Sequence, residues 1–533
     1  MTMLQPLQDP SKRFFDQAVA EPSYIIFKVG DTILAKNGLT GQVEFSGTDA
    51  SKVIQQAVDA VSNAGGGRIF IKRGTYNIET SIKPKSNVVI EAEGSTGTVF
   101  NLSQPYIFQG LGEPPVENFA VINGRFVIKA NVRVMWFRET ARNVVIKGSR
   151  LEIDPSIGTY ASNFGIRFEK ANYVVIDSIT VEGAGTDTLQ LDGSKVMVKN
   201  SYMDGKGQFS NAILLGAVET FILNNVFIGY RHNAVLSGTN RVVVANNYFY
   251  KCMDGIDIGA GASDWVIVGN QFVGGDTLIA ISPGEARARN IVIAGNLFRQ
   301  AGGVLRPVWA QYVDHLVVEA NTVQNDSPYD TRVFICEKCN HIHIKNNAVY
   351  TPSYGGITHI VMIADSKYVF VEGNTFYGGP DGRGPIIQIV STNPGDTSFV
   401  YIRRNYLRPN LYGNPDRESS GIVFNDQNAT NVFIEDNVFD FGLKDRLIVN
   451  PPPGTVIRRN AGYPTEASGV ATIAAGSTRV TVPHGLVSAP AKVVITPYAN
   501  IRVWVENIGS TSFDIVADTA PATDVNVAWY AEV

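Results

Sequence analysis

Between about Asn87 and Asn460 the chain repeats one short pattern of apolar and polar positions. Apolar tetrads recur as NVVI at 87 and 143, YVVI at 173, RVVV at 241, WVIV at 265, NIVI at 290, HLVV at 315, HIHI at 341, YVFV at 368 and NVFI at 431. After most of them come a turn, an Asn, any residue, and then Phe, Val or Leu. These asparagines are 225, 247, 270, 296, 321, 347, 374, 405, 437 and 460, spaced by 22, 23, 26, 25, 26, 27, 31, 32 and 23 residues. Short strands at a near-constant period predict a solenoid in which each repeat buries its apolar side only against its neighbours. Asparagine tolerates left-handed turns and carries both donors and acceptors, so identical turns stacked ~4.8 Å apart can bond amide to amide. The asparagines are therefore assigned to structure.

One stretch ahead of the repeats has helical periodicity. In GTDASKVIQQAVDAVSNAGGG, Val53, Ile54, Ala57, Val58 and Val61 share a face, Asp49 or Ser51 can cap the start, and Gly65 can end it. A strand, RIFIKRGTYNI, follows at once. A single amphipathic helix before a run of strands suits a lid over the first repeat, whose apolar end would otherwise meet water. Helix, GGG and the GTY strand together resemble the N-terminal cap of the pectate-lyase-like superfamily of right-handed parallel β-helices. That resemblance implies an all-β parallel solenoid, in a superfamily that includes lyases, hydrolases, epimerases and phage tailspikes.

Residues 1–46 read as a polar lead with strands broken at Gly30-Asp31 and Asn37-Gly38, and residues 47–462 as helix and solenoid. Longer loops from 377 and 405 are expected to wall a groove. From 463 to 533, apolar and polar residues alternate between turns about ten apart, predicting a small C-terminal β-sandwich. It resembles terminal modules of phage tail fibres and β-helix enzymes.

With 45 Lys+Arg against 49 Asp+Glu in 533 residues, the charge of −4 offers no basic surface for nucleic acid. No apolar run approaches the roughly 18 residues of a membrane span, and the start MTMLQPLQDPSKRFF lacks a signal-like apolar core. An extracellular or virion-associated chain is the expectation. Three cysteines, Cys252, Cys336 and Cys339, are too few for a disulfide framework.

Chemistry gathers where the repeats begin one of their strands. Aligning TDTLQL (186–191), SNAILL (210–215), HNAVLS (232–237), MDGIDI (253–258) and GDTLIA (275–280) predicts a column of Asp187, Asn211, Asn233, Asp254 and Asp276. Asp257 should face outward between Ile256 and Ile258, and Glu182, Asp204, Lys206, Arg231 and His232 lie in the loops feeding the column. Carboxylates one rung apart split their pKa values and can supply an acid and a base. The rungs MDGIDI and GDTLIAI partly resemble the polygalacturonase signature, NTDG followed one rung later by GDDC. The resemblance implies that Asp276 is the general acid and that Asp254 helps to activate water. Thr277 stands where the second aspartate belongs, and the GHG and RIK motifs have no counterpart. A separation beyond about 6.5 Å would favour inversion.

β-Elimination from a uronate is the competing chemistry, with Lys206, Arg231 and His232 as base and carboxylate neutralisers beside Tyr230. Tyr230, Trp309, Tyr312 and Tyr354 are candidate sugar-stacking platforms, and Asn211 and Asn233 candidate polar contacts. CEKCNHIH at 336–343 has zinc-like spacing, but His341 and His343 should point outward on a strand whose Ile342 and Ile344 face inward, with His315 one rung before. No cofactor is required, calcium and zinc being the ions considered. The sequence thus points to an enzyme that hydrolyses an acidic, uronic-acid-containing polysaccharide with paired carboxylates. A lyase or C5-epimerase, and a non-catalytic tailspike-like or adhesin glycan-binding protein, are the alternatives, the last expected as a homotrimer.

Overall fold

The computed structural model describes residues 21–281, 284, 286–300, 305–325, 332–351, 359–378, 384–408, 420–440 and 444–533. Parts of the long loops from 377 and 405, and Tyr354, lie outside the described residues. The chain divides into two compact units, Met1–Val317 and Val318–Val533. The fold is all-β, a parallel solenoid of about 13 turns with an additional C-terminal antiparallel sheet structure.

In the first unit, strands Tyr24–Val29, Thr32–Asn37 and Val43–Gly47 form an antiparallel meander, and the first of them pairs in parallel with Gly67–Ile71. Helix α1 (Ala50–Asn63) lies between, with Asp49 accepting from the Lys52 N–H at its start and Gly65 in the left-handed region beyond its end. Its predicted apolar face is buried. Ser51 is not the cap. Its buried hydroxyl accepts from the N–H groups of Glu79 and Thr80 in the first turn of the solenoid.

Each later rung has three strands. The first face contains Asn211–Leu215, Asn233–Ser237, Asp254–Ile258, Thr277–Ile281 and Arg306–Gln311, paired in parallel. The second contains Val218–Leu223, Asn240–Ala245, Ser263–Val268 and Ala288–Ala294. The third contains Val226–Ile228, Tyr248–Tyr250, Gln271–Val273 and Leu297–Gln300. Inside the third face Phe227, Phe249, Phe272 and Phe298 stack at 5.1, 4.6 and 5.1 Å, each two residues after a repeat asparagine.

The asparagines form the expected ladder, with one difference in detail. Left-handed dihedrals fall on the preceding residue (Asn224, Asn246, Gly269, Gly295), which leaves the ladder asparagine's amide turned into the stack. The Asn247 Oδ1 accepts from both the N–H (2.9 Å) and Nδ2 (3.0 Å) of Asn225, and its own Nδ2 donates to the Ile222 carbonyl (2.9 Å) and to Asn270 Oδ1 (3.0 Å). Every hydrogen-bonding site on a fully buried amide is thereby used, which removes the desolvation cost of placing it there.

In the second unit the same ladder links Asn321, Asn347, Asn374, Asn405, Asn437 and Asn460. On its second face rings stack at strand spacing: His341 on Tyr368 on Phe399, and His343 on Phe370 on Tyr401 on Phe433, at 4.7 to 4.9 Å. The C-terminal strands form two three-stranded antiparallel sheets. Glu466–Ile473, Val525–Glu532 and Lys492–Pro497 make one, and Arg479–Pro483, Ser512–Ala517 and Val503–Glu506 the other. Ile473, Val482, Phe513, Ile515 and Val527 from both sheets share one core, as a sandwich requires.

Candidate functional site

The site lies in the first unit, where the turn from the third face enters the first. Asp187 pairs with Asn211, and Asn233 with Asp254. The next partner of Asp254 is Thr277, so the predicted placement of Asp276 in the column is corrected by one residue. That turn, Gly274-Gly275-Asp276, has three residues like Lys251-Cys252-Met253 before Asp254, and both of its glycines have positive φ (68° and 125°). Asp276 consequently sits on the turn itself. Its N–H bonds the Met253 carbonyl at 2.8 Å, and its carbonyl accepts from Arg306 N at 2.8 Å.

Asp254 and Asp257 both face outward although they are three residues apart. Strand alternation alone would turn one of them inward. The strand departs from alternation while staying in register with both neighbours: Gly255 and Ile256 are both buried, and a Cβ added to Gly255 would lie 2.5 Å from the Leu278 carbonyl oxygen and 2.8 Å from the Phe272 ring. Burial, then the charges of Asp257 and Asp276, push the Asp254 carboxyl up to about 6, against the opposing pull of His232. The Asp257 carboxyl is also raised, by burial, with His232 again opposing. The Asp276 Oδ1 lies 3.5 Å from Arg306 Nη1, an ion contact without hydrogen-bond geometry, and has no hydrogen-bond partner.

Asp254, Asp257, Asp276 and His232 are thus brought together, and Arg306 joins them. Sequence reading missed Arg306 because its rung, AGGVLRPV, was compared only with motifs it lacks. Its signal was its position, one rung beyond Thr277. Asp187 is three rungs from Asp254, ~14 Å at strand spacing, and accepts from Asn211 Nδ2 at 2.8 Å. Lys206 is engaged by Asp204 at 2.7 Å and Glu182 at 3.9 Å. Arg231 is exposed and stacks 4.6 Å from the exposed Phe209 ring, a second platform the sequence did not suggest.

Tyr230 is not an exposed platform. It is 0% exposed, in space left by Gly205, whose missing Cβ would lie 2.9 Å from the ring. Asn211 and Asn233 are buried as well. Trp309 does face outward, stacked over Ala280 and then Asp257, with the Arg306 guanidinium 5.8 Å from its ring centre. Tyr312 is half-buried on the turn to the second face, at φ 53°. Cys336 and Cys339 are buried free thiols, burial holding Cys336 well above its ordinary value, whereas His341 and His343 are stacked on the outer surface. The four do not converge. No cluster of three or more His, Cys, Asp or Glu able to hold a metal occurs among the described residues.

With this geometry in place, residues 41–280 match a family described as rhamnogalacturonase A/epimerase, pectate lyase-like. The match covers the helix and the first part of the solenoid, 240 of the 533 residues. The matched stretch ends on the Asp276 rung, so it contains every site carboxylate but not Arg306 or Trp309. No curated protein matches the sequence. Among solved structures the chain is similar to PfbA, a surface adhesin of Streptococcus pneumoniae, at 16% identity over 65% of this chain and 89% of that one, with a TM-score of 0.40. It is also similar to the tailspike protein of E. coli bacteriophage HK620 in complex with pentasaccharide, at 13% identity over 91% and 90%, TM-score 0.43. A mutant of that tailspike in complex with hexasaccharide gives 13% over 91% and 89%, TM-score 0.47. No helix among the described residues is long and apolar enough to cross a membrane.

Proposed function

We propose that the first-face cluster is the catalytic site of an enzyme that hydrolyses glycosidic bonds in an acidic polysaccharide. The observation that carries this reading is the Asp254 carboxyl, half-buried, flanked by Asp257 and Asp276, and raised to about 6. A carboxyl that keeps its proton up to about pH 6, beside an ion-paired carboxylate, is the acid and base pair that glycoside hydrolysis needs.

The roles reverse those implied by the polygalacturonase resemblance. Asp254 donates its proton to the glycosidic oxygen as the bond to the anomeric carbon breaks. Asp276, next to Arg306, takes a proton from the water whose oxygen bonds to that carbon. Trp309, and Phe209 with Arg231, offer sugar-stacking surfaces on either side. The elimination set is less well supported, since Lys206 is occupied by Asp204 and Glu182.

The test is a panel of acidic polysaccharides read both for new reducing ends and for ultraviolet absorbance of an unsaturated uronate. Reducing ends without absorbance, lost in Asp254→Asn, are expected. Absorbance would replace this reading with a lyase. Glycan binding without any cleavage would replace it with a binding protein.

A further inference from the structure

Toward the N-terminal side of the same face is a second charged cluster that the hydrolytic steps do not use. Trp136, Arg167 and Gln190 stack in register as outward-facing residues, and the column continues through Leu214 and Leu236 to Asp257. Arg167 and Arg138 lie over the Trp136 ring at 5.4 and 5.2 Å. Both contact one Glu169 oxygen, at 3.3 and 3.6 Å, which also accepts from Trp136 Nε1 at 2.9 Å. One carboxylate oxygen serving three donors leaves the cations under-used, and Nε of both arginines lacks a hydrogen bond.

Arg133 is the more telling residue. It lies on the loop entering this strand and is 8% exposed, yet its Nη1 has no hydrogen-bond partner. Burial and the Arg167 charge hold its guanidinium below the ordinary value, with Asp187 and Glu169 opposing. A buried guanidinium with an open donor beside a second cation is costly unless an anion completes it.

We infer that Arg133 and Arg167 form a carboxylate-binding subsite that holds an acidic sugar unit of the polysaccharide threaded along the first face. The inference rests on the proposed function for the direction of the glycan. From Arg167 the chain would cross Gln190, Leu214 and Leu236, four rungs or ~19 Å at strand spacing, to reach Asp257. A planar guanidinium fork matches the two oxygens of a uronate carboxylate and gains there a charge-assisted pairing that a neutral hexose does not offer.

The test uses Asp254→Asn protein, so that glycans are bound and not cut. Calorimetry compares oligogalacturonate, oligoguluronate and hyaluronan hexasaccharides, each beside its carboxyl-reduced counterpart. At least one acidic probe is expected to bind about tenfold or more tightly than its reduced form, the factor a charge-assisted hydrogen bond carries. Arg133→Met should remove that preference while binding of the reduced form is kept, and Arg167→Gln, at a half-exposed position, gives the same reading should Arg133→Met fail to fold. No preference for any acidic probe, or a preference that survives in the variants that fold, overturns the subsite. Arginine-dependent preference in a chain whose wild type cleaves none of the panel leaves the subsite standing and removes the hydrolase reading.

Discussion

Two edges of the same rungs carry columns of polar side chains, and they are treated oppositely. At the turn from second to third face, each ladder asparagine is buried and every amide atom is bonded, as in Asn247. At the turn from third to first face, Asn233 Oδ1, Asp276 Oδ1 and Ser210 Oγ are buried without hydrogen-bond partners, and residue identity changes from rung to rung. The backbone period is shared. What separates structure from candidate chemistry is whether the polar groups satisfy one another, because unsatisfied buried groups persist where something else must meet them.

The largest test of the contrast is Asp254→Asn, which should lower kcat by ~10³-fold, within the range for a general acid, while circular dichroism stays unchanged. Asn247→Ala should do the reverse. It strands the N–H and Nδ2 of Asn225 and is expected to cost about 3 kcal/mol in denaturant unfolding, since each orphaned buried donor costs ~1–3 kcal/mol. Asn233→Ala, whose Oδ1 already lacks a partner, should cost about 1 kcal/mol or less by the same measure.

The pH dependence follows from the sign of the Asp254 shift. Its folded-state value, about 6, lies above the unfolded 3.8, so the folded protein binds the proton more tightly and ionisation disfavours folding. Asp254→Asn should therefore raise the unfolding midpoint relative to wild type above pH 6 and lose that advantage below about pH 4. In wild type, kcat/KM should fall as pH rises through about 6. A smaller effect is expected from His232→Gln. Without the opposing charge the Asp254 carboxyl rises further, and the alkaline limb moves up. Trp309→Ala should weaken oligosaccharide binding by ~1 kcal/mol, the scale of one aromatic contact, with kcat little changed.

The fold was legible because its signals are local and repeated. Alternation within tetrads, an asparagine at each turn and one capped helix each constrain neighbouring residues only, and the structure agrees at Val53, Val58, Asn247 and Phe249. The site was legible in part. Asp254, Asp257 and His232 follow from strand order, but Asp276 was misplaced by matching aspartate to aspartate, although Thr277 follows Asn270 by seven residues as Asp254 follows Asn247. Tyr230 was misplaced because its burial is decided by Gly205, a rung away and 25 residues earlier in the sequence. Arg133 and Arg167 carry no motif. Only the stacking of distant rungs shows two guanidiniums competing for too few partners.

The ladder also has a direction. In each unit the donors of one asparagine are completed by the oxygen of the next, as Asn374 is by Asn405 and Asn437 by Asn460. A rung that has just formed therefore holds an amide that only its successor can close, so folding should advance from the N-terminal side as a ratchet, each turn locked by the one made after it. Chains cut within the ladder would expose one open amide at the cut wherever it falls, and their last turn should fray first in hydrogen exchange.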